Sequence, residues 1–271
     1  MTRLETGDLA GLGQTLDDYD DELRAKTGRT LRQIACRAAG LSEKQILQSI
    51  QETRVAVISM SAGQGVLEGF AHAVRDIVSH LGYQAFVPNL FDVGGIAGAM
   101  EGGADVVFMA DDARFIAANL STRLVVDNAE ATGRGYGAAL DELTDGIRGR
   151  RVLVIGAGRV GKGAAGIVRE MGGEVGVFDS NRFRSEDLAR EVEGIAEGDL
   201  EKALETYTIL VDASPARGII GAKHIKPSTT MVAPGIPLGL TPEAQSRIGS
   251  RLIHDPLQIG VATMMISAVK P

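Results

Sequence analysis

The stretch RVLVIGAGRVGKGAAGIVREMGGEVGVFDSN, residues 151–181, decides the fold. A run of aliphatic residues predicts a strand, and Gly156, Gly158 and Gly161 follow it at the spacing G-x-G-x-x-G. The first glycine makes a tight turn, the second lets a phosphate approach the backbone, and the third lets a helix pack on the strand. The N-terminus of that helix then faces the phosphate charge. The segment therefore predicts a Rossmann-type dinucleotide site, with an empty, degenerate domain as the alternative.

The second strand of this segment ends in Asp179, at the distance where the ribose hydroxyls of NAD are held. A 2′-phosphate would be repelled there, so the sequence predicts NAD, whereas Arg182 and Arg184 leave NADP open. Two small-residue turns, 212–218 and 233–239, follow later strands and are predicted to line the nicotinamide, although plain Pro/Gly turns would look alike. The further predicted cofactor contacts are Arg159, Val160, Ser180, Ala213, Ser214, Pro215, Pro234, Gly235 and Gly260.

Strands and helices also alternate ahead of the motif. The pattern predicts an N-terminal helix over 8–27, a parallel sheet in the first half, a loop near 125–132 and a linking helix from about 135 to 143. The predicted fold is α/β with two domains. Residues 1–148 form a substrate-binding α/β domain with a helical lid, and residues 149–271 form a Rossmann-type doubly wound parallel sheet. The active site is expected in the cleft between them.

Composition excludes several function classes. The chain has 271 residues and a net charge of −7, with no basic cluster of the kind that nucleic-acid binding requires. Cys36 is the only cysteine, the N-terminus has no secretory signal, and no apolar run is long enough to cross a membrane. We therefore expect a cytoplasmic protein with no nucleic-acid or membrane partner. No His, Cys and carboxylate cluster has metal-ligand spacing, so no metal is predicted.

Four further stretches carry a resemblance to a known family. They are SAGQGVLEGF (61–70), MADDARFIAANL (109–120), APGIP (233–237) and DPLQIGVATMM (255–265). Together with Leu4 near the start, they resemble the corresponding stretches of the pyrrolysine synthases, in the same order and over nearly the whole chain. Members of this family are the dehydrogenases that complete pyrrolysine biosynthesis.

The resemblance implies a substrate and a reaction. The substrate is a dipeptide-like isopeptide in which 3-methyl-D-ornithine acylates the side-chain nitrogen of lysine. NAD takes a hydride from the carbon that bears the terminal amine, and the imine is hydrolysed with loss of ammonia. The ornithine α-amine then condenses with the resulting aldehyde and closes the pyrroline ring. The resemblance also implies a homodimer.

Three carboxylates are the predicted catalytic residues. Asp111 and Asp112 end a buried strand at the cleft, where they suit the ammonium groups of such a substrate. Neighbouring residues of an extended chain point to opposite sides, so one of the two is expected to face the substrate, with Asp111 favoured. Helix capping is the alternative for both. The resemblance implies that Asp255 stands where other family members carry glutamate. It is predicted either to orient the amine or to cap the last helix.

The remaining predicted contacts bind substrate. The turn Ser61, Ala62, Gly63 and Gln64 is placed to offer N–H groups to the lysine carboxylate, or is a tight packing turn. Leu4, Phe70 and Asn128 complete the set, with the N-terminal helix as a lid or a dimer element.

Two rival functions stay open at this point. One is another NAD(P)-dependent dehydrogenase of a small amine or hydroxy acid, and the other is a non-catalytic protein that senses a dinucleotide.

Overall fold

The computed structural model describes Leu9 and residues 11–63 and 65–270. Eleven strands in this part of the chain form two sheets that lie in sequence one after the other. Their bounds are β1 Arg54–Ile58, β2 Gln84–Phe86, β3 Val106–Ala110, β4 Phe115–Asn119, β5 Val125–Asp127, β6 Arg151–Ile155, β7 Glu174–Phe178, β8 Ile195–Ala196, β9 Ile209–Asp212, β10 Thr230–Val232 and β11 Leu252–Ile253.

Helices cover the sheets and connect their strands. Their bounds are α1 Leu16–Thr27, α2 Leu31–Ala39, α3 Glu43–Glu52, α4 Phe70–His80, α5 Asp92–Glu101, α6 Asn128–Leu143, α7 Arg159–Glu170, α8 Arg182–Glu191, α9 Leu200–Thr206, α10 Pro242–Ile248 and α11 Gln258–Ala268. Of the helix predicted over 8–27, the structure describes a short 3-10 turn at Leu12–Gln14 and a regular α-helix over Leu16–Thr27. It ends, as expected, at Gly28, which adopts a left-handed conformation.

The first sheet has the strand order β2-β1-β3-β4-β5 and is mixed. The strands β1, β2 and β3 are parallel, as predicted, whereas β4 and β5 run antiparallel to their neighbours. The wholly parallel sheet predicted for this half is therefore wrong, and so is the loop near 125–132, which holds β5 and the start of α6. The polar turn after β3 reverses the chain, and the half-buried residues that follow it pair back onto β3.

The second sheet has the order β11-β10-β9-β6-β7-β8 and is parallel throughout. The predicted strand at 151–155 lies in its centre and is almost wholly buried after Arg151. Burial on both faces explains its unbroken aliphatic sequence. This half has the doubly wound Rossmann architecture that the glycine motif predicted.

Two helices fix the halves to each other. The linking helix α6 packs closely on α7, because Gly133 and Gly163 let the backbones meet: a Cβ on Gly133 would overlap the carbonyl oxygen of Val160. The last helix α11 is buried along almost its whole length and returns to the first half, where it packs on α6 and α2. The two sheets are therefore held by shared helices as well as by the single linker.

Two properties of the described residues bear on membranes and metals. None of their helices is long and apolar enough to cross a membrane. Within that same part of the chain, no group of three or more His, Cys, Asp and Glu side chains is arranged to hold a metal ion.

Candidate active site

A cavity of about 860 Å³ lies between the two sheets, at the carboxyl ends of their central strands. One wall comes from the segments after β1 and β3, and the other from those after β6, β9 and β10. Parallel strands in open α/β sheets place ligands at this edge. The residues predicted from sequence that line the cavity are Ala62, Phe70, Asp111, Asp112, Asn128, Gly158, Arg159, Val160, Ala213, Pro215, Pro234, Asp255 and Gly260.

The glycine turn has the shape that a dinucleotide diphosphate requires. Gly156 has φ of 96°, a conformation that favours glycine, and a Cβ on Gly161 would overlap the carbonyl oxygen of Gly156. Gly158 is the N-cap of α7, and among the described residues no atom lies within 4 Å of the place where its Cβ would stand. The turn thus leaves open space in front of a helix N-terminus, where backbone N–H groups favour an anion.

Asp179 lies beside this turn at the end of β7. Its Oδ2 accepts a hydrogen bond from the Ala157 N–H at 2.7 Å, and its Oδ1 accepts one from the Asn181 N–H at 2.8 Å. The carboxylate is therefore fixed against the glycine loop and retains lone pairs for ribose hydroxyls. Arg182, which left NADP open, pairs instead with Glu186 at 2.7 Å on its own helix.

The two turns predicted to face the nicotinamide are joined by Asp212, through its buried carboxylate and its backbone carbonyl. Asp212 accepts hydrogen bonds at Oδ1 from the Ser214 hydroxyl at 2.7 Å and from its N–H at 3.1 Å. The Ser214 hydroxyl therefore points into the protein, and Ser214 does not line the cavity. The Asp212 carbonyl accepts from the Gly235 N–H at 3.0 Å. Burial raises the pKa of Asp212 above its ordinary value, and its Oδ2 has no hydrogen-bond partner in the described structure.

On the opposite wall, Asp111 and Asp112 occupy the turn between β3 and β4. Asp111 Oδ1 accepts from the N–H groups of Arg114 at 2.7 Å and Ala113 at 2.8 Å. These two backbone hydrogen bonds hold the pKa of Asp111 below its ordinary value. Asp112 leans on Gly63, where an added Cβ would lie 2.5 Å from the Asp112 carboxyl carbon. Both side chains are exposed at the cavity rim.

The turn at Ser61 is organised by a carboxylate that the sequence analysis did not identify. Asp92 accepts from the Ser61 N–H at 2.7 Å and from the Ser61 hydroxyl at 2.5 Å. The Ser61 hydroxyl first, and its N–H second, lower the pKa of Asp92. The Ser61 donors predicted to bind the lysine carboxylate are thus already occupied. Asp111 and Asp112, which line the cavity on this side, make it electrostatically suited to a cation.

Asp255 is the centre of a buried network. Its Oδ2 accepts from the hydroxyls of Tyr19 at 2.7 Å and Tyr136 at 2.8 Å, and its Oδ1 accepts from the N–H groups of Leu257 at 3.0 Å and Ile259 at 3.3 Å. The alternative that Asp255 caps the last helix is therefore realised in the geometry. Burial raises the pKa of Asp255 and raises the pKa values of both tyrosines well above their ordinary value.

Sequence reasoning missed both tyrosines. Tyr19 has the spacing of an apolar residue on α1, and Tyr136 lies 119 positions away from Asp255 in the chain. No local pattern marks such a contact. Thr132 and Leu67 also line the cavity, and Phe70 packs edge-on against Phe115 with ring centroids 5.2 Å apart. These side chains form an apolar wall between the carboxylates and the linking helix.

The other predicted contacts fall outside the cavity lining. Gly156, Gly161, Asp179 and Ser180 stand at the dinucleotide end, and Gly235 supports the Ser214 turn, where an added Cβ would meet the Ser214 carbonyl. Ser61 and Gly63 form the rim. Leu4 and Gln64 lie outside the described residues.

The fold and the cavity define a two-domain dehydrogenase with a site for a nicotinamide dinucleotide. Solved structures of such enzymes share the fold. Quinate dehydrogenase from Corynebacterium glutamicum, in complex with NAD, aligns with a TM-score of 0.53 at 13% identity, over 79% of this chain and 93% of that one. Shikimate 5-dehydrogenase from Thermus thermophilus, in complex with NADP(H) and shikimate, aligns with a TM-score of 0.51 at 20% identity, over 81% and 95%.

Family models and curated relatives narrow the class. Residues 8–126 match the N-terminal domain of the pyrrolysine biosynthesis protein PylD, and residues 128–229 match the C-terminal domain of alanine dehydrogenase/PNT. Pyrrolysine synthase from Methanosarcina acetivorans is 28% identical over 98% of this chain and 99% of its own length. The enzyme of the same name from Methanosarcina barkeri is 25% identical over 99% and 98%. The chain is similar to the pyrrolysine synthases over nearly its whole length, which confirms the predicted resemblance, and it is an oxidoreductase.

Proposed function

We propose that this chain catalyses the NAD-dependent step that forms pyrrolysine from L-lysine-Nε-3-methyl-D-ornithine. The observation that carries the proposal is the pairing of two unlike walls across one cavity. The carboxylates Asp111 and Asp112 stand on one wall, and the dinucleotide turn at Gly158 and the small-residue turn at Pro215 stand on the other. A cationic amine is thus brought to a hydride acceptor. The names of the two Methanosarcina relatives support the product.

The chemistry starts from the terminal amine of the ornithine part. The ammonium form must lose a proton first, because only a neutral amine has the lone pair that forms the C=N bond as hydride leaves its carbon. The bound dinucleotide supplies the hydride acceptor. Water then adds to the imine and ammonia leaves, which gives an aldehyde. The ornithine α-amine attacks that aldehyde, releases water and closes the pyrroline ring.

The carboxylates divide this work according to their surroundings. Asp111 is held in the ionised form by two backbone N–H groups, so it is a weak base and a good electrostatic anchor for an ammonium group. We assign the proton to Asp112, which stands beside it at the rim. Asp255 accepts four hydrogen bonds, which fill the lone-pair positions of a carboxylate, so we assign it to positioning Tyr136 and the start of α11.

Water must be kept out until the hydride has left. The wall formed by Leu67, Phe70 and Phe115 excludes it on the substrate side. In addition, the Tyr19 hydroxyl ties α1 to Asp255. This contact supports a covering role for the N-terminal helix, in which Leu4 would reach the substrate.

NAD rather than NADP is the proposed cofactor. Asp179 is fixed by the N–H groups of Ala157 and Asn181 and would accept hydrogen bonds from the ribose hydroxyls, whereas it would repel a 2′-phosphate. Arg182 is engaged by Glu186 and does not offset that charge.

The deciding experiment incubates the purified chain with synthetic isopeptide and either NAD or NADP. We expect absorbance at the NADH band with NAD, little with NADP, and a pyrroline product by mass spectrometry. The matched control is an isopeptide whose terminal amine is acetylated, which should give no reduction. NAD binding without NADH formation would remove the proposed activity. Equal rates with both dinucleotides would overturn the assignment of Asp179.

The domain boundary, the oligomeric state and the cellular compartment are proposals as well. We divide the chain at residues 148 and 149 into a substrate domain and a dinucleotide domain, with α11 returning to the former. Exposed apolar side chains on and before α5, among them Phe91, Val93 and Met100, support a homodimer that covers them. The single buried thiol of Cys36 suits the reducing cytoplasm.

A further inference from the structure

Asp127 connects the two sides of the cavity through a single carboxylate. It stands at the end of β5 and is the N-cap of α6, because its Oδ1 accepts a hydrogen bond from the Ala129 N–H at 3.0 Å. Its Oδ2 lies 2.5 Å from Nη2 of Arg159 and 3.4 Å from Nε of Arg114. The Asp127 side chain is 11% exposed, whereas those of Arg159 and Arg114 are 60% and 56% exposed. The carboxylate is therefore fixed, and the two guanidinium groups are free to move.

The two arginines serve opposite ligands. Arg159 is the first residue of α7, directly after Gly158, where the dinucleotide diphosphate would sit. Arg114 closes the turn whose backbone N–H holds Asp111, on the side proposed for the substrate amine. Oδ2 of Asp127 is thus shared between two arginines. Arg159 would face the anionic diphosphate, whereas Arg114 lies beside the carboxylates that would face the substrate amine.

This sharing has an electrostatic consequence. A bound diphosphate attracts Arg159 and weakens its pairing with Asp127. The released oxygen then pairs more strongly with Arg114. A paired Arg114 offsets less of the negative charge of Asp111 and Asp112, so these carboxylates attract the substrate ammonium more strongly.

We propose that Asp127 is a positioning residue that couples dinucleotide binding to binding of the cationic end of the substrate. The inference rests on the proposed function, because it takes the substrate to be a diamine held at Asp111 and Asp112. Coupling between two sites is reciprocal, so each ligand should tighten the binding of the other by the same factor.

The test is calorimetric and needs no turnover, because NADH and the isopeptide form an unreactive ternary complex. In the wild-type chain we expect NADH to tighten isopeptide binding about five-fold, an effect of ordinary size for coupled sites. The coupling should shrink in high salt, which screens exposed charges. Asp127→Asn keeps the helix cap, because asparagine caps as well as aspartate, and removes the charge. We expect no coupling in this variant and weaker isopeptide binding.

Arg114→Gln in the Asp127→Asn background is the matched control. If Asp127 acts by neutralising Arg114, the double variant should regain the isopeptide affinity of the wild-type ternary complex to within about two-fold. A role restricted to capping α6 predicts that Asp127→Asn behaves as wild type. Unchanged coupling in Asp127→Asn would overturn the inference.

A separate measurement distinguishes failure of the inference from failure of the proposed function. If the wild-type chain does not bind the isopeptide, the proposed function is wrong, and NADH binding still tests Asp127. Asp127→Asn should bind NADH about three-fold tighter than wild type, because Arg159 loses its competing anion. Adding Arg159→Gln should abolish that gain. Equal NADH affinity in wild type and Asp127→Asn would remove the shared carboxylate from the description of this site.

Discussion

On the dinucleotide side of the cavity the backbone positions the ligand site, whereas on the substrate side hydrogen bonds between distant side chains do so. Gly156, Gly158 and Gly161 shape the first wall within six residues of chain. The second wall depends on Asp92 holding Ser61, and on Tyr19 holding Asp255 across 236 positions. A short motif can specify the first kind of wall completely. The second kind exists only when the whole domain has folded.

The largest effect is expected from a substitution in the glycine turn, which forms the dinucleotide side of the cavity. Gly161→Ala places a Cβ against the carbonyl oxygen of Gly156, so α7 cannot pack on β6 without moving the turn. We expect dinucleotide affinity to fall about 100-fold or more, which calorimetry with NADH measures. The matched control is Gly166→Ala on the same helix, where no described atom lies within 4 Å of the new Cβ. That change should leave affinity intact and raise stability by about 0.5–1 kcal/mol. Similar losses in both variants would show that α7 tolerates no substitution at all, and the role of the turn would not stand.

The next effect separates the two rim carboxylates. Asp112→Asn removes the proposed proton acceptor and should lower kcat about 100-fold, the usual range for loss of a general base. Asp111→Asn removes the electrostatic anchor and should raise KM about ten-fold with a smaller change in kcat. Steady-state kinetics at saturating NAD measures both, and NADH affinity serves as the internal control. If Asp111→Asn lowers kcat more than Asp112→Asn does, the roles are reversed.

A third variant sharpens the comparison from the substrate side. Tyr136→Phe leaves the buried N–H of Asp255 without its acceptor at 2.8 Å and removes one donor from Asp255 Oδ2. We expect the free energy of unfolding to fall by about 1–3 kcal/mol, the cost of unpaired buried polar groups. Tyr207→Phe, which removes a hydroxyl that donates to the half-buried Glu197, is the control and should cost less. Urea unfolding of both variants decides the matter, and equal losses would mean that the Asp255 network adds no special stability.

The extent of successful prediction follows the same division. The glycine turn, the parallel order of the second sheet and the position of Asp111 could be predicted, because strand-turn-helix patterns are local. The antiparallel return of β4 could not, since FIAAN is a short apolar run that fits several structures. Nor could the partners of Asp255 be predicted, because Tyr19 and Tyr136 occupy helical positions where an aromatic residue is ordinarily part of the core. What a single sequence lacks is the pairing of distant polar groups.

The smallest expected effect concerns Asp212, which lies under the two turns predicted to line the nicotinamide. Burial raises its pKa, so the folded state holds the proton more strongly than the unfolded chain does. The stabilising contribution is present below the ordinary value of about 3.8 and is lost as pH rises through the raised pKa. Asparagine does not ionise, so the stability of Asp212→Asn relative to wild type should increase by about 1 kcal/mol between pH 4 and 8.

Asp92→Asn is the control of opposite sign. The pKa of Asp92 is lowered by Ser61, so its contribution is present above about 3.8 and is lost as pH falls. Asparagine also tolerates the left-handed φ of 51° at this position. Chemical unfolding between about pH 2 and 8 measures both slopes, since that of Asp92→Asn falls below about pH 4. Parallel slopes in the two variants would mean that the buried carboxylate beneath the dinucleotide loops is no different from one at the substrate rim.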